Sequence, residues 1–387
     1  MKNKVKIIVA ALAVGMAAVL TACDGCGGCM GCGGKTSSST LTRSNWFTGT
    51  SYSGIQPSFI KGHANFSAEK ITYDVTYDNT NANNAYLSVD YSGGVFTTEF
   101  YGAEYDWTSS AIPEGYADDK VKSETVYCYR TELTISVQYT LLRGNKDSSK
   151  VFDDHVVTES YFRAAGKSLQ PVYSKQEIVS TSPASYQPKN LEDAYKQIDV
   201  TYENFYNYSC TKVLSKTTDY TKDDPTLDRI GDGVVESKEF KNLNKLDKTL
   251  FDNSSLYIAV RAMKLSPSLS EPVNLFSAAA GGIDEYAIVG SDASLTLDEK
   301  STYTSLLSEK GLFNSVNGSE VEATAINVSY AGGNLHGTTQ TIWYASITDN
   351  DYNVSRATML KLSTPISFSL GTLNYSLKSI DSTLWNG

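Results

Sequence analysis

Histidine is scarce: His63, His155 and His336 are the only three in 387 residues. None has another at metal-ligand spacing, so an H-E-x-x-H zinc helix is excluded. Glycine-rich phosphate cradles are missing too, since neither G-x-x-x-x-G-K-S/T nor G-x-G-x-x-G occurs. No G-x-S-x-G elbow presents a serine nucleophile. A Ser-His-Asp triad stays open, because its members need not be neighbours in sequence. Basic clusters are lacking: 33 Lys and Arg stand against 43 Asp and Glu, a formal net charge of −10. Neutralising phosphates takes stripes of Lys or Arg, so the composition argues against a nucleic-acid partner. The adjacent acids Asp118-Asp119, Asp153-Asp154 and Asp223-Asp224 read as solvated loop charge rather than acid/base pairs.

What the chain does have begins at its N-terminus. Lys2, Lys4 and Lys6 precede an unbroken small and apolar run from Ile7 to Leu20, which ends in Leu20-Thr21-Ala22-Cys23. A basic n-region, a short apolar h-region and a small-residue cut make a secretory leader. The run falls short of the roughly 20 apolar residues a spanning helix needs. The Leu-Thr-Ala-Cys ending resembles the lipobox of bacterial membrane lipoproteins. That resemblance covers the leader alone, and it implies that Cys23 is diacylated through its thiol, that residues 1–22 are removed, and that the new amino terminus is acylated. The mature chain is then expected on the cell membrane, facing outside the cytoplasm, because two or more acyl chains suffice for stable anchoring. Losing three lysines with the leader takes the formal net charge to −13. Anionic envelope polymers would repel such a body from the surface.

Cys23, Cys26, Cys29 and Cys32 form C-x2-C-x2-C-x2-C, a spacing similar to the cluster-binding run of bacterial ferredoxins. A lipidated Cys23 is a thioether and cannot supply a thiolate, and Gly33 stands where ferredoxins carry proline. The run therefore reads as the start of a tether, residues 23–45, rich in Cys, Gly and Ser. Cys26, Cys29 and Cys32 would serve zinc only with a fourth ligand from elsewhere. From Gly33 to Asn45 almost nothing is apolar, so this segment has too little surface to bury and reads as a linker. Cys128 and Cys210 can pair in an oxidising compartment, although sequence does not fix connectivity.

The body alternates with period two, the mark of half-buried strands. Ile71, Tyr73, Val75 and Tyr77 alternate with Thr72, Asp74, Thr76 and Asp78. Tyr127, Tyr129, Leu133, Ile135, Val137, Tyr139 and Leu141 make a longer apolar face. One-faced alternation indicates antiparallel sheet, since buried parallel strands read as continuous apolar runs. Turns are expected at residues 79–84 and at Gly93-Gly94, and strands at Ile366 to Leu370 and Leu373 to Leu377. Two short helices are expected, one over Leu191 to Ile198 capped by Asn190, the other from Leu256 to Met263 capped by Asn253. Val89-Asp90-Tyr91-Ser92-Gly93-Gly94 is echoed by Val328-Ser329-Tyr330-Ala331-Gly332-Gly333. The expected class is mainly β with an α+β element: antiparallel sheets and a few short helices, in two similar β-rich lobes spanning residues 46–188 and 189–387.

One segment resembles an EF-hand calcium loop. In the stretch from Asp228 to Glu239, Asp228, Asp232, Glu236 and Glu239 occupy positions 1, 5, 9 and 12, with Gly233 at the sharp turn. Ile230 at position 3 removes an oxygen ligand, and Asp223-Asp224-Pro225 breaks the helix that should enter the loop. A β-hairpin turning at Asp232-Gly233 is the favoured alternative, and no resident cofactor is expected. Ser209-Cys210-Thr211-Lys212 spells the S-x-x-K pair of penicillin-binding proteins, without the K-T-G that should follow. The expected function is a lipid-anchored binding or carrier module, its 26 Tyr and 13 Phe offering a platform for a glycan, peptide or lipid. The alternatives are an extracytoplasmic hydrolase with a site dispersed in sequence, and a passive structural or adhesive lipoprotein. Mass spectrometry of the mature N-terminal peptide should find Cys23 carrying a diacylglyceryl thioether, and Cys23→Ser should release or strand the precursor. An unmodified Cys23 in the mature protein would overturn this assignment.

Overall fold

The computed structural model describes residues 57–62, 69–118, 120–143, 149–165, 168–220, 233–296, 316–317, 320–331, 340–349 and 354–382. The first half of the described chain is a run of strands: β1 (Ile60–Gly62), β2 (Glu69–Asp78), β3 (Leu87–Asp106), β4 (Ser123–Leu141), β5 (Ser149–Ala165), β6 (Ser168–Pro183), β7 (Tyr195–Tyr206), β8 (Lys212–Asp219) and β9 (Val234–Lys241). A short crossing follows, through β10 (Leu250–Asp252) and helix α1 (Leu256–Arg261). The second half comprises β11 (Ser270–Ser277), β12 (Gly282–Thr296), β13 (Val316–Asn317), β14 (Glu320–Tyr330), β15 (Gln340–Asp349), β16 (Val354–Pro365) and β17 (Thr372–Ser382).

Strands β2 to β9 form one antiparallel meander, each bonded to the next. Strands β11, β12, β14, β15, β16 and β17 form a second, with β13 beside β14. The two are stitched together where β17 pairs antiparallel with β2, from Thr372 opposite Asp78 to Ser382 opposite Glu69. β1 adds to β3, and β10 lies parallel to β11. The expected pair of lobes and the α+β class are thereby corrected: the described chain is mostly β, one sheet with one short helix. The expected boundary at residue 188 falls in the connection between β6 and β7, which are hydrogen-bonded neighbours.

The sheet curls. Inward side chains from both meanders share one hydrophobic core around α1. Beyond that core side chains join the two meanders: Phe276 of β11 packs its ring against Phe240 of β9 at 5.2 Å and Tyr206 of β7 at 6.0 Å. Lys238 of β9 donates to the Gly281 carbonyl at 2.8 Å. A second core lies on the outer face, where Phe59, Trp107, Ile112 and Tyr116 cover Tyr101, Tyr105, Cys128 and Tyr173. Burial on both faces explains why β3 alternates at its start but is buried without interruption from Thr98 to Ala103.

Local sequence accounts for most elements. β2 buries Glu69, Ile71, Tyr73 and Val75 on one face, as its alternation requires. Gly93-Gly94 is a bulge within β3 rather than a turn, because the register with β4 shifts between Ser92 and Val95 and Gly93 has φ +64°. Residues 366–371 are a turn and not a strand: β16 ends at Pro365, Phe368 adopts φ 58°, and the Ile366 amide donates to the Gly371 carbonyl. Asn190 accepts the Asp193 amide as a cap would, yet no helix follows, since β7 starts at Tyr195 and pairs with β6. The other expected helix is present as α1. A 3-10 turn, Asn253–Ser255, leads into it and is capped by Asp252, whose carboxylate takes the Ser254 amide at 2.9 Å, while Ser255 stands at the cap position of α1 itself without a side-chain hydrogen bond. α1 is buried all round, which makes it a core helix rather than an amphipathic one.

Gly94 has no room for a side chain: an added Cβ would lie 2.7 Å from the Val75 Cβ and 2.8 Å from the Ile135 Cδ1. Gly94→Ala is expected to destabilise the fold by about 1–3 kcal/mol, read as a lower denaturant midpoint at unchanged slope. An unchanged midpoint would show that the bulge accommodates the methyl group.

Candidate functional site

Three groups of polar side chains are buried inside the curled sheet. At the start of α1, Asp252 accepts from Ser174 and from Tyr206, each at 2.7 Å, and Asn204 donates to Ser174 at 2.8 Å. Burial pushes the Asp252 carboxyl up, and the hydrogen bonds from Tyr206, Ser174 and Ser254 pull it back. This cluster ties the helix entrance to β6 and β7. At the other end of α1, Arg261 grips Glu69 of β2 through two hydrogen bonds of 2.5 and 2.9 Å. Both residues are almost wholly buried. A bidentate guanidinium–carboxylate pair is the geometry a buried charge needs, since leaving either partner alone costs about 3–5 kcal/mol.

In the third group a carboxylate oxygen itself is left without a hydrogen bond. Asp154 sits on the inner face of β5 with 2% of its surface exposed. Its Oδ1 accepts the Thr181 amide at 2.9 Å and the Thr181 hydroxyl at 3.2 Å. Its Oδ2 has no partner, nor do the hydroxyls of Tyr91, Tyr139 and Ser180. Burial, opposed by the Thr181 hydrogen bonds, pushes the Asp154 carboxyl up to about 7. Burial also drives the Tyr91 and Tyr139 phenols above their ordinary range, with the Asp154 charge adding to the effect.

Strand geometry explains why this carboxyl lies where it does. The β5–β6 ladder runs from Ala165 opposite Ser168 to His155 opposite Val179 and stops there. Beyond it, residues 149–154 of β5 stay paired with β4, while residues 180–183 of β6 stay paired with β7. The sheet therefore forks, and Asp154 occupies the apex. Its side chain takes the Thr181 amide, so that amide is not left orphaned when the ladder ends. The fork is lined by aromatics: Phe152 and Tyr195 lie 4.6 Å apart between centroids, with Tyr139 at 6.1 and 5.4 Å from them. Lys150 lies over Phe152 and Tyr195 at 5.1 and 5.6 Å.

Of the calcium-loop candidates, Asp228 and Asp232 fall outside the described residues, as does Cys23. Glu236 and Glu239 lie on β9, which pairs antiparallel with β8 from Asp219 opposite Val234 to Lys212 opposite Lys241. The hairpin is thus wider than a two-residue turn at Asp232-Gly233, with residues 220–233 connecting its strands. Glu239 accepts from the Tyr116 hydroxyl at 2.8 Å and pairs with Lys241 at 2.7 Å and Lys212 at 3.6 Å. Among the described residues no three His, Cys, Asp or Glu side chains are grouped to hold a metal. Within the S-x-x-K segment, Lys212 reaches Glu239 and the Tyr116 ring, and Ser209 joins the Asn207–Thr211 turn. Cys128 and Cys210 are free thiols, Cys128 buried. His155 bonds the Glu132 carboxylate at 2.9 Å on the outer face.

The reading of Asp153-Asp154 as solvated charge is half corrected: Asp153 is exposed, and Asp154 is the buried centre of the fork. No family model matches the chain, and no curated protein is similar to it. A solved structure, the β-barrel-like protein of domain of unknown function DUF1849 from Brucella abortus, is similar at TM-score 0.41 and 9% identity, over 81% of this chain and 97% of that one. Among the described residues no helix is long and apolar enough to cross a membrane.

The raised Asp154 carboxyl makes stability depend on pH. Between the ordinary carboxyl value of 3.8 and about 7, the folded protein holds a proton that the unfolded chain has released, so stability falls as pH rises through that window. Asp154→Asn keeps the shape without the charge. The variant is expected to be more stable than the parent at pH 8, by on the order of 3 kcal/mol, with the gap closing towards pH 4. Denaturant unfolding at several pH values reads the difference; parallel pH profiles for the two proteins would refute it.

Proposed function

We propose that this chain is a lipid-anchored protein of the cell membrane, facing outside the cytoplasm, that binds a ligand without turning it over. The observation that carries the proposal is Leu20-Thr21-Ala22-Cys23 behind a basic and apolar leader. Tethering by acyl chains suits capture or display at a surface, and a Gly/Ser-rich tether gives the body reach from the membrane. The aromatic content, 26 Tyr and 13 Phe, agrees with the reading. Tyr, Phe and Trp supply large contact areas with polar tips, which suits a glycan, a peptide or a lipid chain. A charge of −13 on the mature body agrees with a partner other than nucleic acid. The buried acids described above serve the helix or the fork, and none lies beside a nucleophile and a base in a hydrolytic arrangement.

Arrays of envelope glycans, peptides and lipids, probed with the full mature chain, are expected to give saturable and reversible binding with the ligand recovered intact. Steady turnover of an envelope polymer, abolished by replacing one serine or one acid, would show the chain to be a hydrolase.

A further inference from the structure

We propose that the fork between β5 and β6 is a proton-operated gate, closed while Asp154 carries a proton and opened to water when that proton is lost to solvent. The fork begins with the end of the ladder at His155 opposite Val179, beyond which β5 and β6 belong to different neighbours and are free to separate. Contacts to side chains bridge the two arms there. Thr181 of β6 donates twice to Asp154 of β5, and the rings of Phe152 and Tyr195 pack across the gap.

The groups around the carboxyl decide which state is tolerated. Thr181 faces it from β6, the Tyr91 hydroxyl from β3 and the Tyr139 hydroxyl from β4, with Asp153 behind it on its own strand. Tyr77 and Tyr375 stand beyond Tyr91. The cation at the fork is Lys150, whose ammonium lies over the Phe152 and Tyr195 rings. A protonated Oδ2 carries no charge, so its burial costs far less than burial of the ionised group. An ionised Oδ2 is an acceptor of −1 charge with no cation beside it and no donor in hydrogen-bond geometry. Desolvating that charge costs several kcal/mol unless it is hydrated or paired. The nearest remedy is water between the arms, which have no shared ladder to break. The carboxyl's raised proton affinity sets the transition close to neutral pH.

Hydrogen–deuterium exchange on the full mature chain tests the gate, with parent and Asp154→Asn compared at the same pH so that intrinsic exchange rates cancel. At pH 8.5 the amides of residues 149–154 and 180–183 should exchange faster in the parent, on the order of tenfold. At pH 5.5 the two proteins should match, and amides in the β2–β17 ladder should match at both. Asp153→Asn, which removes the exposed neighbouring charge, should behave as the parent does. Equal exchange of parent and Asp154→Asn at pH 8.5 would overturn the gate, and so would an increase spread over the whole sheet. If Asp154→Asn does not fold, Thr181→Val supplies the comparison. With one donor that favours the ionised carboxyl removed, the fork should open at higher pH than in the parent, and an unchanged pH dependence would overturn the proposal.

Discussion

A guanidinium shut away from water is the constraint on which this architecture turns. Arg261 ends a six-residue helix buried on every side, and its charge is met by Glu69 through two hydrogen bonds. The pair fixes the axial position of α1 against β2. Asp252 fixes the other end against β6 and β7, so the helix is held at both termini by carboxylates reached from different parts of one sheet. The Tyr344 hydroxyl donates to the Tyr257 carbonyl and the Tyr73 hydroxyl to the Met359 carbonyl, adding neutral ties within the same interior. Helix ends leave backbone groups unmet, and a helix this short has few internal hydrogen bonds to spare. Its stability comes from Leu256, Ile258 and Val260 in the core, each worth about 1.5–3 kcal/mol when fully buried.

Around that centre the sheet is used on both faces. The stretch of β3 to β7 that backs onto the outer aromatic core is enclosed twice, by α1 within and by the 57–62 and 107–116 segments without. The forked end lies away from this reinforcement, and its inner face carries Tyr91, Tyr139 and Asp154 in place of purely aliphatic packing. An unmet carboxylate oxygen thus sits where the ladder ends. The Asp252 cluster shows that the same chain can satisfy a buried carboxylate fully, which makes the shortfall at Asp154 a local property of the fork.

The alternation of Ile71, Tyr73 and Val75, and of Leu133 through Leu141, made the strands readable because each presents one face to a common interior. Gly93-Gly94 misled, since two glycines mark a turn or a bulge equally well and only the register with β4 separates the two. The 191–198 segment carries helical residues and a competent cap, but pairing with β6 outweighs the propensity of a single turn. The polar interior was less legible. Glu69 continues the buried phase of β2, and Arg261 interrupts an otherwise apolar helix; together these hinted at a buried pair, but sequence does not say that they meet. Asp154 shares the phase of Val156 on β5, and that was the clue to its burial. Its neighbour Asp153 hid the signal. A fork has no local signature at all, since it depends on which strands stay paired beyond Val179.

The seam between β17 and β2 governs when this molecule can come into being. Tyr73 and Met359, joined by a hydrogen bond, stand 286 positions apart. Strand β2 emerges early from any synthesis or translocation channel, yet the neighbour that covers its second edge arrives almost last. Closing so large a loop yields no reward until both strands are present, so assembly is slow and favours completion after the whole polypeptide has been delivered. A chain that cannot finish its sheet early stays open along one edge of β2 until the partner strand arrives.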